Sequence, residues 1–144
     1  LINYVEGDLF SSDALAIGHG ANCMGKMGVG IAKEFRERYP EMYYNYQSKC
    51  NAGLVIPGTS DLYYSRKEER WIINLYTQQY PGANAKLSYI RSAIRDASGQ
   101  LYFKGVRTLA IPKIGSGIGG LDWEAVSSVI NTLRTGVNIE VRYI

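Results

Sequence analysis

Ile111-Pro112-Lys113-Ile114-Gly115-Ser116-Gly117-Ile118-Gly119-Gly120-Leu121-Asp122-Trp123 is the stretch on which the reading of this chain turns. An apolar run, residues 108–111, leads into it, and Ala125, Val126, Val129, Ile130 and Leu133 then recur on one helical face. The pattern is strand, glycine loop, helix. Asp122 suits an N-cap and Glu124 places negative charge in the first turn. Glycines let backbone N–H groups come close to an anion, and a helix start adds partial positive charge. The loop is therefore suited either to holding phosphate or to turning sharply.

A second stretch favours the phosphate reading. Asn22-Cys23-Met24-Gly25-Lys26-Met27-Gly28-Val29-Gly30-Ile31-Ala32 also follows an apolar run, residues 14–17, and precedes the helical spacing Ile31, Phe35, Tyr39. Two such units in one small domain imply a ligand held between them, with a diphosphate as the fitting group.

The chain has 144 residues. That suffices for one domain with a sizeable core, residues 1–144, and is short for two. The hydrophobic fraction of 46% and charged fraction of 20% are those of an ordinary globular protein. A net charge of +3 suits an anionic ligand, but no dense Lys/Arg run marks a dedicated nucleic-acid binder. Cys23 and Cys50 lack metal or redox spacing and read as reduced thiols of a cytoplasmic protein. No apolar run reaches membrane-spanning length, and no signal-peptide layout opens the sequence. Neither a metal nor a cofactor is expected, nor a membrane partner.

Along the chain, residues 2–5 read as a strand, ending at Gly7-Asp8-Leu9. Residues 15–18 read as a buried strand ending at His19, the only histidine. A helix is expected over 31–39, stopped by Pro40, and a second over 41–50. Residues 62–64 and 71–77 form strands joined by a charged turn at 66–69. Leu87, Ile90, Ile94, Ala97 and Leu101 trace a helix whose end Gly99 leaves open. Residues 139–144 alternate apolar groups with Glu140 and Arg142, as in an edge or half-covered strand. The interleaving predicts an α/β fold with a mixed sheet, helices on both faces and ligand loops at one end of the strands.

Gly115-Ser116-Gly117-Ile118-Gly119-Gly120 also satisfies the G-x-G-x-x-G dinucleotide fingerprint, with Glu140 about 20 residues further on. That fingerprint normally opens the first βαβ unit. Here it lies late in the chain, and Glu140 falls at the start of its strand. A Rossmann domain is excluded on those grounds. No P-loop motif, metal-ligand cluster, or Ser or Cys nucleophile with an identifiable base is present.

Taken together, Gly7-Asp8-Leu9, Asn22 with its glycine loop to Ile31-Ala32, and the 111–123 stretch resemble a macrodomain, the ADP-ribose-binding module, over essentially the whole chain. The resemblance implies a three-layer α/β/α fold around a central mixed sheet. It is strongest to the branch holding the yeast-type ADP-ribose 1″-phosphate phosphatase, the terminal ADP-ribose protein hydrolase and the DNA-ADP-ribose hydrolase antitoxin. By that resemblance Asp8 accepts from the adenine amino group, with the Leu9 N–H near the ring. Asn22 holds the distal ribose. Met27, Gly28, Val29, Gly30, Ile31 and Ala32 line the distal ribose and diphosphate, with Thr77 at the end of its strand. Ile114, Gly115, Ser116, Gly117, Ile118 and Gly119 form the phosphate loop, and Tyr143 lies against adenine.

The resemblance also bears on catalysis. The two hydrolases use a lysine after the strand equivalent to 71–77, where this chain has Gln78 and Gln79. The protein hydrolase also uses an aspartate where Gly119 stands. Both departures argue against a lysine adduct. The His19-Gly20-Ala21-Asn22-Cys23 run instead resembles the phosphatase. The leading expectation is thus hydrolysis of ADP-ribose 1″-phosphate, with His19 as general acid/base or water-positioning group and Asn22 holding the ribose. The alternatives are a hydrolase of ADP-ribosylated protein or nucleic acid, and a non-catalytic ADP-ribose reader. The implied partners are ADP-ribose or a derivative, together with ADP-ribosylated macromolecules.

Overall fold

The computed structural model describes residues 2–144. In chain order the elements are β1 (Ile2–Glu6), a single 3-10 turn (Leu9–Ser11), β2 (Ala16–Ala21), α1 (Gly30–Arg38), α2 (Pro40–Asn51), β3 (Ser60–Ser65), β4 (Arg70–Tyr76), α3 (Leu87–Phe103), β5 (Thr108–Ile111), α4 (Trp123–Asn131) and β6 (Asn138–Tyr143).

Local chemistry sets the boundaries. Pro40 begins α2, where its missing N–H costs nothing, and α1 ends just before it at Tyr39. Asp122 caps α4 by accepting from Glu124 N at 3.4 Å, as its sequence position implies. α3 runs straight through Gly99, where a Cβ would meet open space. A mid-helix glycine costs roughly 1 kcal/mol. The buried stripe Ile90, Ile94, Ala97, Leu101 more than offsets that.

The strands form one six-stranded sheet in the order β1-β6-β5-β2-β4-β3. Every neighbouring pair is parallel except β3 with β4, the expected hairpin. One face packs Ile73, Leu75, Leu109, Ile111 and Val141 against α3 and α4, through Ile90, Ile94, Val126 and Ile130. The other packs Ile17, Ile72 and Tyr76 against Phe35, Met42 and Tyr46 of α1 and α2. This is the three-layer α/β/α arrangement that the sequence implies.

Of the two readings of β6, edge or half-covered strand, the structure shows the second, with Ile139 and Val141 buried and Glu140 and Arg142 partly exposed. It lies inside the sheet between β1 and β5. Its polar alternation survives because its Glu140–Arg142 face meets the Leu9–Ser11 region rather than a helix. Glu140 Oε1 accepts from Ser12 Oγ and from Arg142 Nε, each at 2.7 Å.

The arrangement of β2 and β5 positions the site. They are parallel neighbours, yet β2 continues into helices on one face while β5 continues into α4 on the other. Their connections diverge at the carboxyl ends, which opens a crevice there.

Candidate functional site: a cleft between two amide cradles

The crevice is a cavity of about 510 Å³, within the size range of small-molecule sites. Residues 28–32 form one wall, while Ile114, Gly115, Gly117, Ile118 and Gly119 form the other. Gly20, Ala21, Asn22, Thr77 and Gln78 lie on the same cavity. The two loops also approach each other directly, since a Cβ at Gly30 would lie 3.4 Å from Ile118 Cδ1.

Both walls expose N–H groups. α1 has no side-chain cap at Val29. Among the described residues, Lys33 N is the first N–H of that helix to find an acceptor, Val29 O at 3.3 Å, so those of residues 28–32 stay free. In the second loop the carbonyls are consumed instead. Pro112 O accepts from Ile114 N, Gly115 O from Leu121 N, Gly117 O from Gly120 N and Gly119 O from Ala85 N, at 2.8 to 3.2 Å. Ser116 Oγ donates to Lys113 O at 2.7 Å. The N–H groups of residues 115–119 donate to no acceptor among the described residues. Two sets of unpaired donors, one at a helix N-terminus, face one space, an arrangement that favours a diphosphate.

Asn22 shapes the first loop. Its Oδ1 accepts from Met24 N at 3.0 Å and Lys26 N at 3.4 Å, while its Nδ2 donates to Lys26 O at 2.8 Å. Tyr46 Oη stands 2.8 Å from both Asn22 O and Oδ1. One Nδ2 hydrogen is left for a ligand hydroxyl. Gln78 does similar work across the cavity, since its Nε2 donates to Tyr80 O at 2.6 Å and Gly82 O at 2.8 Å. Lys26 and Lys113 supply the charge on the wall. No carboxylate, imidazole or thiol lines it among the described residues.

The structure does not bring His19 to this cavity. Its ring is fully buried, stacked on Phe35 at 4.0 Å between centroids, with Nε2 2.8 Å from Asn74 Oδ1. On a strand, alternate side chains face opposite sides of the sheet, and His19 faces the α1–α2 core. Burial lowers its pKa to about 4, against the raising effect of Asn74 and the Gly20 backbone. It is neutral near pH 7. Met27 likewise turns inward, at 1% exposure, and packs in the same core rather than on the ligand wall. Burial, helped by Cys50, pushes the Cys23 thiol up to about 12, so it is no nucleophile near neutral pH.

The expected adenine end lies at the carboxyl ends of β1 and β6, where Gly7 N donates to Tyr143 O at 2.8 Å. Asp8 is exposed there and accepts from Phe10 N at 3.2 Å. Leu9 buries its side chain, leaving only its backbone for a ligand. Lys113 Nζ, from the cavity wall, sits 5.6 Å from the Tyr143 ring centroid. Neither Asp8, Leu9, Ser116 nor Tyr143 lines the cavity itself. The sequence leaves open whether the Pro81-Gly82 loop closes over the distal ribose, and its reading passes over Lys26 and Lys113; all four residues line the cavity. Only the adjacency of Lys26 and Lys113 to the glycines signalled them.

The macro domain family model matches residues 19–130, most of the chain. The chain belongs to the macro domain family. A solved macrodomain of Mycobacterium tuberculosis DarG superposes on this macro domain with a TM-score of 0.88, at 33% identity, covering 100% of this chain and 98% of that one. The Mycobacterium tuberculosis protein named DNA ADP-ribosyl glycohydrolase is 37% identical over 128 residues, 88% of this chain and 36% of its own length. A protein of Lodderomyces elongisporus named ADP-ribose 1″-phosphate phosphatase is 28% identical over 147 residues, 92% of each. This macro domain thus spans about a third of the first of these named relatives and nearly all of the second. Among its described residues no group of three or more His, Cys, Asp or Glu could hold a metal ion.

Proposed function

We propose that the cleft binds ADP-ribose and that the chain is a hydrolase, releasing ADP-ribose from conjugates attached at the anomeric carbon of the distal ribose. The observation that carries this reading is the pair of opposed N–H arrays on one cavity. It is supported by relatives named DNA ADP-ribosyl glycohydrolase and ADP-ribose 1″-phosphate phosphatase.

In the reaction, water adds at the anomeric carbon, the bond to the substituent breaks, and the substituent leaves with a proton. Free amides and the Lys26 and Lys113 cations hold the diphosphate, so the ribose is presented in one orientation. The remaining Asn22 Nδ2 hydrogen fixes a ribose hydroxyl. Gln78 occupies the place of the lysine expected by resemblance, and an amide nitrogen forms no imine with an opened sugar. Attack is therefore by water directly. His19 is given a structural role here, because it lies outside the cavity with a depressed pKa.

Release of inorganic phosphate from ADP-ribose 1″-phosphate is the second reading, favoured by the relative of that name that matches over 92% of its length. Incubation with ADP-ribosylated DNA, ADP-ribosylated peptide and ADP-ribose 1″-phosphate distinguishes the readings. Free ADP-ribose from a conjugate supports the first, phosphate release alone the second. Binding without turnover of any of them would make the chain a reader.

A further inference from the structure

Asn22 is held from behind by a residue outside the cavity wall. Asn22 lines the cleft, and its side-chain bonds to Met24 N, Lys26 N and Lys26 O stay inside its own loop. Tyr46 reaches it from α2, in the body of the fold, and is 2% exposed. Asn22 O and Oδ1, each 2.8 Å from Tyr46 Oη, can only accept, so the phenol donates its one proton to that pair. Burial, helped by Cys50, raises the pKa of the phenol above its ordinary value, against the lowering effect of the Gly25 and Lys26 backbone. The hydroxyl therefore keeps its proton near pH 7.

The ring that carries this hydroxyl is wedged in place. It stacks on Tyr76 of β4, at 6.2 Å between centroids and 13° between planes. Tyr76 Oη in turn donates to Asp61 Oδ2 at 2.7 Å, and Asp61 Oδ1 meets Lys49 Nζ at 3.1 Å. Two neighbours on α2 brace a different atom of the loop. Tyr43 Oη donates to Gly25 O at 3.3 Å, and Gln47 Nε2 to the same oxygen at 3.4 Å. Of these three α2 side chains, only Tyr46 bonds the Asn22 side chain. Burying a hydroxyl is costly unless it is bonded, and phenylalanine would fill the same space with no polar group to satisfy. The hydroxyl is explained by what it does for Asn22.

We infer that Tyr46 is a positioning residue for the distal ribose: its hydroxyl fixes the Asn22 side-chain amide so that the free Nδ2 hydrogen faces the bound sugar. This rests on the cleft reading above, in which Asn22 holds that ribose. Tyr46 acts through Asn22 and touches neither the ligand nor the reacting bond. ADP lacks the distal ribose and is blind to this device, whereas ADP-ribose meets it.

Calorimetry with ADP and ADP-ribose tests this on wild type, Tyr46→Phe, Asn22→Ala, the double variant and Tyr43→Phe. Wild type should bind ADP-ribose more tightly than ADP. Tyr46→Phe should weaken ADP-ribose roughly fivefold and leave ADP within about twofold. In the double variant, loss of the hydroxyl should add nothing to the effect of Asn22→Ala. Tyr43→Phe, which loosens the same loop at Gly25, should leave the ratio of the two affinities unchanged. A ratio unmoved by Tyr46→Phe, one moved as far by Tyr43→Phe, or a double variant weaker than Asn22→Ala by the full Tyr46→Phe factor overturns the positioning role and leaves the cleft reading intact. Wild type that binds neither ligand, or ADP as tightly as ADP-ribose, overturns the cleft reading as well. Proton NMR of wild type gives a second readout that needs no variant to fold. The Tyr46 hydroxyl proton, protected from exchange by burial, should shift with ADP-ribose and hold still with ADP. Equal shifts with both, or none with ADP-ribose, overturn the positioning role.

Discussion

Gly30 and Ile118 meet across the cleft: Gly30 has φ of 60°, and a Cβ on it would stand 3.4 Å from Ile118 Cδ1. One residue opens α1 and the other rides the phosphate loop, so the two cradles share a boundary. Gly30→Val places a β-branched side chain at positive φ and pushes into Ile118. It should cost about 1–2 kcal/mol of stability, read by urea denaturation. It should also weaken ADP-ribose binding at least tenfold by calorimetry, whereas Ile118→Val should stay near wild type in both.

Gly119 is constrained more tightly. A Cβ there would lie 2.8 Å from Gly115 O and 2.9 Å from Ala85 Cβ. Backbone cannot yield as a side-chain tip can. Gly119→Asp, which inserts the carboxylate used by the related protein hydrolase, should therefore distort the loop rather than add a catalytic group. The expected outcome is a stability loss of about 1–3 kcal/mol with no gain in turnover on a modified peptide. A faster enzyme would contradict this.

His19 gives a pH signature. Its folded pKa, lowered to about 4 from 6.5 by burial, means that the unfolded chain binds the proton more readily. Its contribution to stability is complete above about pH 6.5 and is lost as pH falls toward 4. The loss is roughly 3 kcal/mol from this group. His19→Ala should lower the melting temperature at pH 7 and flatten that part of the profile, because it removes the titration along with the Phe35 stack and the Asn74 bond. The folded fraction should still bind ADP-ribose within about twofold. Loss of turnover with binding and stability intact would return His19 to the chemistry.

The absence of a carboxylate, imidazole or thiol from the wall among the described residues, with Gln78 in place of a lysine, has its own readout. Reaction with an ADP-ribosyl conjugate in the presence of cyanoborohydride should leave the mass of the chain unchanged, because Gln78 cannot form a reducible imine. A stable ADP-ribose adduct at Lys26, the cavity lysine beside Asn22, would show a covalent route in place of direct attack by water. Gln78→Ala should raise KM severalfold through loss of its bonds to Tyr80 O and Gly82 O.

The layered fold was legible wherever apolar spacing was strong, as in the Ile90, Ile94, Leu101 stripe and the apolar runs at 14–17 and 108–111 that lead toward each glycine loop. Asp122 and Pro40 announced their helix boundaries through local chemistry. What escaped the sequence depended on which way a strand residue faces and what lies beyond the sheet. His19 reads as a candidate acid from its place beside a glycine loop, but strand alternation turns it into the Phe35 core. Met27 sits within a ligand loop by number and inside the core by geometry. β6 reads equally as an edge or a half-covered strand, and only its interior place in the sheet decides for the second; its polar pair is satisfied by Ser12, 128 residues away from Glu140 in sequence. Such a pairing has no local signature.

The most direct test titrates nitrogen-15-labelled protein with ADP-ribose and follows the amide resonances by NMR. The N–H groups of Gly30, Ile31, Gly117 and Ile118 should move downfield together, on a single binding curve, because one diphosphate accepts from both loops. AMP, with one phosphate, should reproduce only part of that response. Shifts confined to one loop, or two loops responding with different affinities, would contradict a shared pyrophosphate site.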